Sequence, residues 1–303
     1  MNLSNPTEKR NSKPSWLKIR LPDVKSIKKI REIQTLLSAN NVNTVCISAK
    51  CQNLGQCWGD GCATFLIMGD RCTRNCAFCA VTHARPSPLD PEEPMNIARA
   101  VQALSMEYIV LTSVDRDDLP DGGSNFFKTT IETIKKVNPK VLVEVLIPDF
   151  NARDQSLAEI IKAGPAVVGH NLETVDSMTE LVRDKKASYR KSLLVLEKIK
   201  KIDPLIISKS GIMLGYGESI EEVTKTILDL KAVQCDILTI SQYLPPSTSH
   251  LPVVDYIHPV MFNKLEEIAR AAGFKAVFAG PLIRSSFKAR DAYESILSVR
   301  GKN

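Results

Sequence analysis

Three cysteines stand close together in the stretch CTRNCAFCA, residues 72–80. Three residues separate Cys72 from Cys76, two separate Cys76 from Cys79, and the aromatic Phe78 directly precedes the last thiol. Three thiolates are one ligand short of a closed tetrahedral zinc site. They can instead hold three irons of a [4Fe–4S] cluster and leave the fourth iron without a protein ligand. An open position is typical of a catalytic centre, so the motif predicts a cluster that binds a substrate or cofactor; a zinc knuckle is the alternative.

A second group of cysteines precedes this motif in CISAKCQNLGQCWGDGC, residues 46–62. Four residues separate Cys46 from Cys51, five separate Cys51 from Cys57, and Cys62 follows after four more. Such a group in a reducing compartment favours a soft-metal site over a disulfide framework. An all-cysteine zinc module, which would make the chain a binding protein, is the alternative. The spacing lacks the tight C-x2-C knuckle, and the sequence has no marked basic stripe for nucleic acid.

The remaining sequence indicates the scaffold that positions these cysteines. Short apolar runs rich in β-branched residues alternate with segments of helical periodicity, and each run reads as a strand buried on both faces. The runs are ATFLIMG (63–69), YIVLTSV (108–114), VLVEVLIPD (141–149), AVVGHNLET (166–174), IISKSGIMLG (206–215) and ILTISQYL (237–244). Six strand–helix units predict a parallel α/β sheet, either doubly wound or closed as a barrel. The cysteines at 72–79 directly follow the first run, at the end of the strands where active sites collect.

The helical segments and the flanking regions complete this organisation. Helices are predicted near 26–39, 95–105, 124–138, 219–234 and 260–272, and Ser219 with Glu222 predicts a capping box at the fourth of these. Residues 1–62 are predicted to form an N-terminal extension, residues 63–273 the sheet and its helices, and residues 274–303 a C-terminal segment with one more apolar run.

Composition excludes several classes of protein. Of 303 residues, 44% are hydrophobic and 24% are charged, as in a soluble globular enzyme. No run of apolar residues is long enough for a transmembrane helix. The N-terminal sequence lacks the apolar core of a signal peptide, so a cytoplasmic location is expected. The net charge of +6 does not demand nucleic acid, and neither nucleic acid nor membrane is expected as a partner.

The motif C-x3-C-x-aromatic-C resembles that of the radical S-adenosylmethionine enzymes, and the whole sequence resembles the lipoyl synthase family among them. Besides the two cysteine groups, the matching stretches are KPSWLKIRLP (13–22), TSVDRDDLPDGG (112–123), HNLETV (170–175), SKSGIMLGYGES (208–219), QYLPPSTSHLPV (242–253) and GPLIRSSF (280–287). The resemblance implies a partial (β/α)6 TIM-like barrel with a C-terminal tail that closes over the clusters. It also implies a sulfurtransferase that inserts two sulfur atoms, at carbons six and eight of a protein-bound octanoyl-lysine. A sulfur-inserting radical enzyme with another substrate is the alternative.

The same resemblance implies the cofactors and their ligands. S-adenosylmethionine would bind the open iron of the catalytic cluster, held by Cys72, Cys76 and Cys79. An auxiliary [4Fe–4S] cluster would donate the sulfur, and its fourth ligand would be a serine. The implied auxiliary ligands are Cys46, Cys51, Cys57 and Ser286, with Ser285 as the alternative serine. From the residues alone, an N-cap on the last helix is the favoured interpretation of Ser286.

Five residues are predicted as cofactor contacts: Phe78, Thr112, Asn171, Glu173 and Arg183. Asn171 and Glu173 alternate along one predicted strand and would share a face; an internal hydrogen-bond network is the alternative. Arg183 suits the carboxylate of the cofactor, or else a surface salt bridge. Phe78 is also suitable core material. Because the cofactors carry the difficult step, no side chain is predicted as a general acid or base.

The implied partners are proteins. The substrate would be an octanoylated lipoyl-accepting carrier domain, from the glycine cleavage H protein or a 2-oxoacid dehydrogenase acyltransferase, and ferredoxin or flavodoxin would supply electrons. Two residues depart from the family pattern: Cys62 stands where a threonine is usual, and Phe287 where a tyrosine is usual. Cys62 is predicted to be a spare thiol, with competition for the fourth iron as the alternative. His170 is predicted to be a packed core residue, and Cys235 a buried thiol.

Overall fold

The computed structural model describes residues 13–18, 23–59 and 62–300. Residues 19–22 of the KPSWLKIRLP stretch lie outside the described residues. The strands found in the described ranges are β1 (Asn43–Thr44), β2 (Thr64–Ile67), β3 (Arg71–Cys72), β4 (Thr82–His83), β5 (Tyr108–Ser113), β6 (Leu142–Leu146), β7 (Val167–Gly169), β8 (Ile207–Leu214), β9 (Ile237–Gln242) and β10 (Ala276–Gly280).

Eight of these strands form one sheet, in the order β1-β2-β5-β6-β7-β8-β9-β10. From β2 to β10 all neighbours are parallel, whereas β1 pairs antiparallel with β2. Within the described residues the order runs from β1 at one edge to β10 at the other, so the barrel is open. Strands β3 and β4 form a separate pair inside the loop that follows β2.

The helices are α1 (Val24–Ala39), α2 (Val45–Ser48), α3 (Leu54–Gly59), α4 (Glu93–Ala103), α5 (Ser124–Val137), α6 (Asp154–Lys162), α7 (Thr179–Val182), α8 (Tyr189–Ile202), α9 (Ile220–Ala232), α10 (Pro259–Ala271) and α11 (Ala289–Arg300). Short 3-10 turns occupy Ser15–Leu17, Phe150–Ala152 and Asp176–Met178. In the part of the chain that the structure describes, no helix is both long and apolar enough to cross a membrane.

Where the sequence pattern predicted a strand or a helix, the structure agrees except at one strand. All six predicted strands are present, and β9 is buried along its whole length. The capping box of α9 is confirmed, because Ser219 accepts from the Glu222 amide while the Glu222 carboxylate accepts from the Ser219 amide. The strand predicted over 166–174 is wrong at its C-terminal end: β7 stops at Gly169, and only an isolated bridge between Glu173 and Ile212 follows.

The barrel is packed on both faces of its sheet. The outer core lies between the strands and the surrounding helices, and it also includes Ile33 and Leu37 of α1. On the inner face, Ala292 and Ile296 of α11 pack against the first residues of the strands, namely Val167, Ile207, Ile237 and Ala276. Because α11 fills this end of the lumen, the space for a ligand lies at the carboxyl ends of the strands.

Candidate cluster-binding site

The first cysteine motif forms the loop between β2 and α4, and its sulfur atoms accept backbone hydrogen bonds. The amides of Arg74 and Asp115 lie 3.4 and 3.2 Å from Cys72 Sγ. The Asp184 amide donates to Cys76 Sγ at 3.3 Å. Amide donors of this kind stabilise a thiolate and tune the metal cluster that it holds.

Burial opposes ionisation of the same thiols in the absence of a metal. It raises the pKa of Cys72 to about 11 and that of Cys76 to about 12, and it raises the pKa of Cys79 as well. A bound metal removes this proton, because a coordinating thiol is deprotonated. No group of three His, Cys, Asp or Glu side chains in the described ranges is arranged to share one metal ion. A [4Fe–4S] cluster does not need such convergence, since each thiolate binds a different iron.

A buried arginine anchors this loop to two others. Arg74 donates to both Asp117 oxygens at 2.9 and 3.0 Å and to both Asp149 oxygens at 2.7 and 2.8 Å. Its Nε also lies 3.3 Å from Asp115. The two aspartates at 115 and 117 follow β5, and Asp149 follows β6. The cysteine loop is therefore held in place by charge-assisted hydrogen bonds from the neighbouring strand ends.

Asn171 and Glu173 meet just beyond the end of β7. The prediction that both lie on one strand is wrong, because Glu173 adopts a φ of 68° in the segment that follows it. They remain neighbours, and Asn171 Nδ2 donates to Glu173 Oε1 at 3.1 Å. Asn171 Oδ1 is buried without a hydrogen-bond partner. A Cβ at Gly211 would lie 3.1 Å from that oxygen and 2.6 Å from Thr239 Oγ1, so the glycine permits this close approach.

Arg183 lies directly after α7, near Cys76. Its Nη1 donates to Ser192 Oγ at 2.7 Å, and its Nε is buried without a partner. Burial raises the pKa of the Cys76 thiol, and Arg183 acts in the opposite direction. Burial also raises the pKa of Glu173, and Arg183 again opposes this effect. The guanidinium thus lies near Cys76 and Glu173.

The other two predicted cofactor contacts are placed differently. Phe78, within the cysteine loop, packs against a small apolar cluster of Val182, Tyr216 and Tyr243. Thr112 is buried in β5, and its hydroxyl donates to the Leu146 carbonyl at 3.0 Å. That hydrogen bond joins β5 to β6.

The second cysteine group precedes the sheet in sequence, and its first thiol lies near Thr64 at the start of β2. Cys46 is buried in α2, and burial raises the pKa of its thiol. The Thr64 amide and the Trp58 indole act in the opposite direction, as donors toward the sulfur. Trp58 is fully buried, yet its Nε1 has no hydrogen-bond partner of normal geometry. A buried indole N–H without a partner suits a sulfur that becomes a thiolate on binding iron.

The C-terminal GPLIRSSF segment contacts this second cysteine group. Asn53 Nδ2, between Cys51 and Cys57, donates to the Leu282 carbonyl at 2.5 Å. Burial lowers the pKa of Arg284, and the nearby Cys51 acts against that shift. Two segments far apart in sequence therefore meet at the mouth of the barrel.

Ser286 is half-buried beyond this contact. Helix α11 begins at Ala289, three residues after Ser286, so the interpretation of Ser286 as the N-cap of that helix is wrong. Cys62 is exposed two residues before β2, and its amide donates to the Cys57 carbonyl at 2.8 Å.

Comparison with known proteins identifies the family. The model of the radical SAM superfamily matches residues 66–230, more than half of the chain. A lipoyl synthase of Caldicellulosiruptor bescii is 47% identical over 95% of this chain and 98% of its own length. That of Verminephrobacter eiseniae is 46% identical over 92% of this chain and 84% of its own. The chain belongs to the lipoyl synthase family. It is therefore a radical S-adenosylmethionine enzyme, and this class works with a [4Fe–4S] cluster and S-adenosylmethionine.

Solved structures support the fold of this lipoyl synthase family member. An FeFe-hydrogenase maturase from Carboxydothermus hydrogenoformans aligns with a TM-score of 0.59 at 14% identity, over 90% of this chain and 68% of its own. Methylornithine synthase aligns with a TM-score of 0.54 at 14% identity, over 91% and 96%. The partial barrel is thus confirmed. A relative from Aedes aegypti, 46% identical over 95% of this chain and 75% of its own, is named mitochondrial, and the cytoplasmic location stays a prediction.

One residue that the sequence did not single out completes the site of this lipoyl synthase family member. Tyr216 stacks on Tyr243, with ring centroids 4.4 Å apart, and its buried hydroxyl has no partner. Burial raises its pKa strongly, and Glu173 and Arg284 both act on it, so the hydroxyl lies near these two side chains. The available signal was its place between Gly215 and Gly217, both with positive φ.

The residues present fit the cofactors of the family. Asn171 Oδ1, Arg183 Nε and the Tyr216 hydroxyl are buried polar atoms without partners at the carboxyl ends of the strands. Buried polar atoms ordinarily have partners, so their concentration here indicates a bound polar ligand. Together with three thiols that face amide donors, they suit an iron–sulfur cluster and a zwitterionic cofactor.

His170 and Cys235 agree with their predicted structural roles. His170 Nδ1 lies 2.9 Å from the Ile147 carbonyl, and its Nε2 lies 2.9 Å from Ser192 Oγ. Cys235 is fully buried, and burial raises its pKa to about 12. Neither side chain is exposed at the mouth of the barrel.

Proposed function

We propose that this protein inserts two sulfur atoms, at carbons six and eight of an octanoyl group bound to a lysine of a carrier domain, and takes both from an auxiliary [4Fe–4S] cluster. The cofactors supply the one-electron chemistry that removes hydrogen from unactivated carbons. Amino-acid side chains lack that chemistry, so the work of the protein is to bind, orient and exclude water.

One observation carries this proposal: the segment after β10 contacts the second cysteine group, because Asn53 Nδ2 donates to the Leu282 carbonyl. The loop with Cys72, Cys76 and Cys79 follows β2, while the segment with Cys46, Cys51 and Cys57 packs against the start of β2. A substrate chain held between them would reach the radical centre from one side and the sulfur donor from the other. The buried hydroxyl of Tyr216 has no hydrogen-bond partner and lies near Glu173 and Arg284, which supports a ligand there.

Each cysteine group has a distinct task in this proposal. Cys72, Cys76 and Cys79 would hold the catalytic cluster and would leave one iron for S-adenosylmethionine. Asn171, Glu173 and Arg183 orient that cofactor, with the guanidinium at its carboxylate, while Phe78 supplies an apolar wall. Thr112 contributes indirectly, through the hydrogen bond from its hydroxyl to the Leu146 carbonyl, which joins β5 to β6.

Ser286 is the proposed fourth ligand of the auxiliary cluster. The contact between Asn53 and Leu282 supports it, because it brings the C-terminal segment to Cys51 and Cys57. A serine oxygen is a harder and weaker partner for iron than a thiolate, so Ser286 would hold its iron less firmly than the three cysteines hold theirs. Cys62 is the competing ligand; its exposure and its place just before β2 leave it less free to turn toward the cluster.

The partners follow from the chemistry of the substrate. The octanoyl-lysine would be presented by a lipoyl-accepting domain, such as the glycine cleavage H protein or a 2-oxoacid dehydrogenase acyltransferase. Reduction of the catalytic cluster requires a one-electron donor, and ferredoxin or flavodoxin are the proposed proteins.

Two single variants test the division of labour. Cys76→Ala should abolish cleavage of S-adenosylmethionine, because two thiolates do not hold the catalytic cluster. Cys51→Ala should retain cleavage to deoxyadenosine but yield no lipoyl product on an octanoylated carrier domain. Cys235→Ala is the matched control, since that thiol is buried outside both groups and both activities should persist.

Two results would contradict the proposal. Deoxyadenosine from Cys76→Ala under strong reductant would remove that cysteine from the catalytic cluster. Normal lipoyl product from Cys51→Ala would place the source of sulfur elsewhere.

A further inference from the structure

A chain of hydrogen bonds runs from Arg183 into the barrel wall. Arg183 Nη1 donates to Ser192 Oγ at 2.7 Å. Ser192 Oγ lies 2.9 Å from His170 Nε2, and His170 Nδ1 lies 2.9 Å from the Ile147 carbonyl oxygen. Three side chains from three different segments thus form one continuous path.

The direction of every hydrogen bond in this chain is determined. A carbonyl oxygen only accepts, so Nδ1 of His170 carries the proton. Burial, with Arg183 and Arg74 nearby, lowers the pKa of His170 to about 4, and the ring is neutral near pH 7. Its Nε2 therefore accepts the hydroxyl proton of Ser192. The serine lone pairs are then left to face Arg183.

The members of the chain have little freedom to move. Ser192 is 1% exposed and sits in the second turn of α8, while His170 is 3% exposed directly after β7. Arg183 Nη1 also approaches the Leu172 carbonyl, at 3.4 Å. The Nη1 end of the guanidinium therefore binds protein acceptors, whereas the buried Nε has no hydrogen-bond partner.

Several ionisable groups lie near the Arg183 guanidinium. Burial raises the pKa values of Cys76 and Glu173, and Arg183 lowers them. At His170, burial and Arg183 both lower the pKa. Asp115, behind Cys72, lies within the same electrostatic neighbourhood. An anion bound beside the catalytic cysteines would meet a cation whose orientation is already fixed.

We propose that Ser192 and His170 are positioning residues that hold Arg183 with its Nε edge toward the carboxylate of S-adenosylmethionine. This inference rests on the proposed function of Arg183 and extends it to two side chains that do not touch the cofactor. A guanidinium presented in one orientation loses less entropy on binding a carboxylate than a mobile one does.

The test measures binding rather than turnover. Ser192→Ala is prepared as the reconstituted enzyme, and dissociation constants are determined for S-adenosylmethionine and for its decarboxylated analogue. We expect the first to rise about tenfold, since a hydrogen bond to a charged group is lost. The analogue lacks the carboxylate, so its dissociation constant should change less than about twofold. In turnover, KM for the cofactor should rise more than kcat falls.

Two further variants separate positioning from general damage. Ser208→Ala removes another fully buried serine hydroxyl, one that hydrogen-bonds Asp236, and it should leave both dissociation constants unchanged. His170→Asn keeps a donor for Ile147 but no acceptor for Ser192, and it should weaken binding of the carboxylate-bearing ligand selectively.

Equal weakening of both ligands in Ser192→Ala, or no weakening of either, would overturn the proposal. A wild-type enzyme that binds the cofactor but makes no lipoyl product would instead contradict the proposed reaction. The two failures are distinguishable because the binding measurement uses no carrier domain.

Discussion

Replacement of Arg74 by glutamine should destabilise the protein through the buried aspartates that it leaves behind. The Arg74 side chain is 4% exposed and forms two bidentate contacts, with Asp117 and with Asp149. Asp149 is only 1% exposed. Removing one partner of a buried ion pair costs roughly 3–5 kcal/mol, because the remaining charge loses its compensation.

Two lysines reduce the expected cost. Lys191 Nζ lies 3.6 Å from Asp149, and Lys186 Nζ lies 3.2 Å from Asp117. Both aspartates keep a cation, so we expect the low end of that range, about 3 kcal/mol of unfolding free energy at pH 7.

The pH dependence of this loss has a definite sign. Although burial raises them, hydrogen bonds from Arg74 hold the pKa values of Asp149 and Asp117 below the usual range. A depressed carboxyl pKa stabilises the fold above the unfolded value, near 3.9, and this contribution is lost as pH falls below it. The difference between wild type and Arg74→Gln should therefore shrink below about pH 4.

Urea unfolding at pH 7 and at low pH measures both quantities. The matched control is Arg270→Gln, which breaks a half-exposed pair with Glu266 one helical turn away and should cost less than about 0.5 kcal/mol. A loss below about 1 kcal/mol for Arg74→Gln, or a loss that does not shrink at low pH, would refute this account of the network.

Three further predictions concern His170, Trp58 and the serine ligand. Burial lowers the pKa of His170 to about 4, so the wild type should lose about 2 kcal/mol of unfolding free energy through this residue as the pH falls from 7 to 5. Urea unfolding of His170→Gln should not show that loss. Trp58→Phe should keep its iron but lower the reduction potential of the auxiliary cluster, measured by redox titration, since an N–H donor to the Cys46 sulfur is removed. Ser286→Cys should slow lipoyl formation while cofactor cleavage continues, whereas Cys62→Thr should keep full iron content and activity.

Each of these predictions has a result that contradicts it. The same pH dependence in His170→Gln as in wild type would mean that other groups cause the loss. An unchanged potential in Trp58→Phe would remove the indole from the cluster environment. A loss of about four irons in Cys62→Thr alone would make Cys62 the fourth ligand in place of Ser286.

The sequence alone determined what is local in this protein. The spacing of Cys72, Cys76 and Cys79 indicated an open metal centre, because ligand number is a property of a few adjacent residues. The apolar runs determined the six strands, since a strand buried on both faces must be apolar throughout. The capping box at Ser219 depends on two residues three positions apart, and it was predicted correctly.

Only the tertiary structure decided which distant groups meet. Arg74 binds Asp149, which lies 75 positions away in sequence, and His170 hydrogen-bonds Ser192, which lies 22 positions away. No sequence periodicity encodes contacts at such separations. The end of β7 was mispredicted because Asn171 and Glu173 continue an alternating pattern after the strand has turned away. The filling of the lumen by α11 was also not predictable from the sequence. The apolar residues of α11 match the inner ends of the strands, and such complementarity between remote surfaces exists only after the chain has folded.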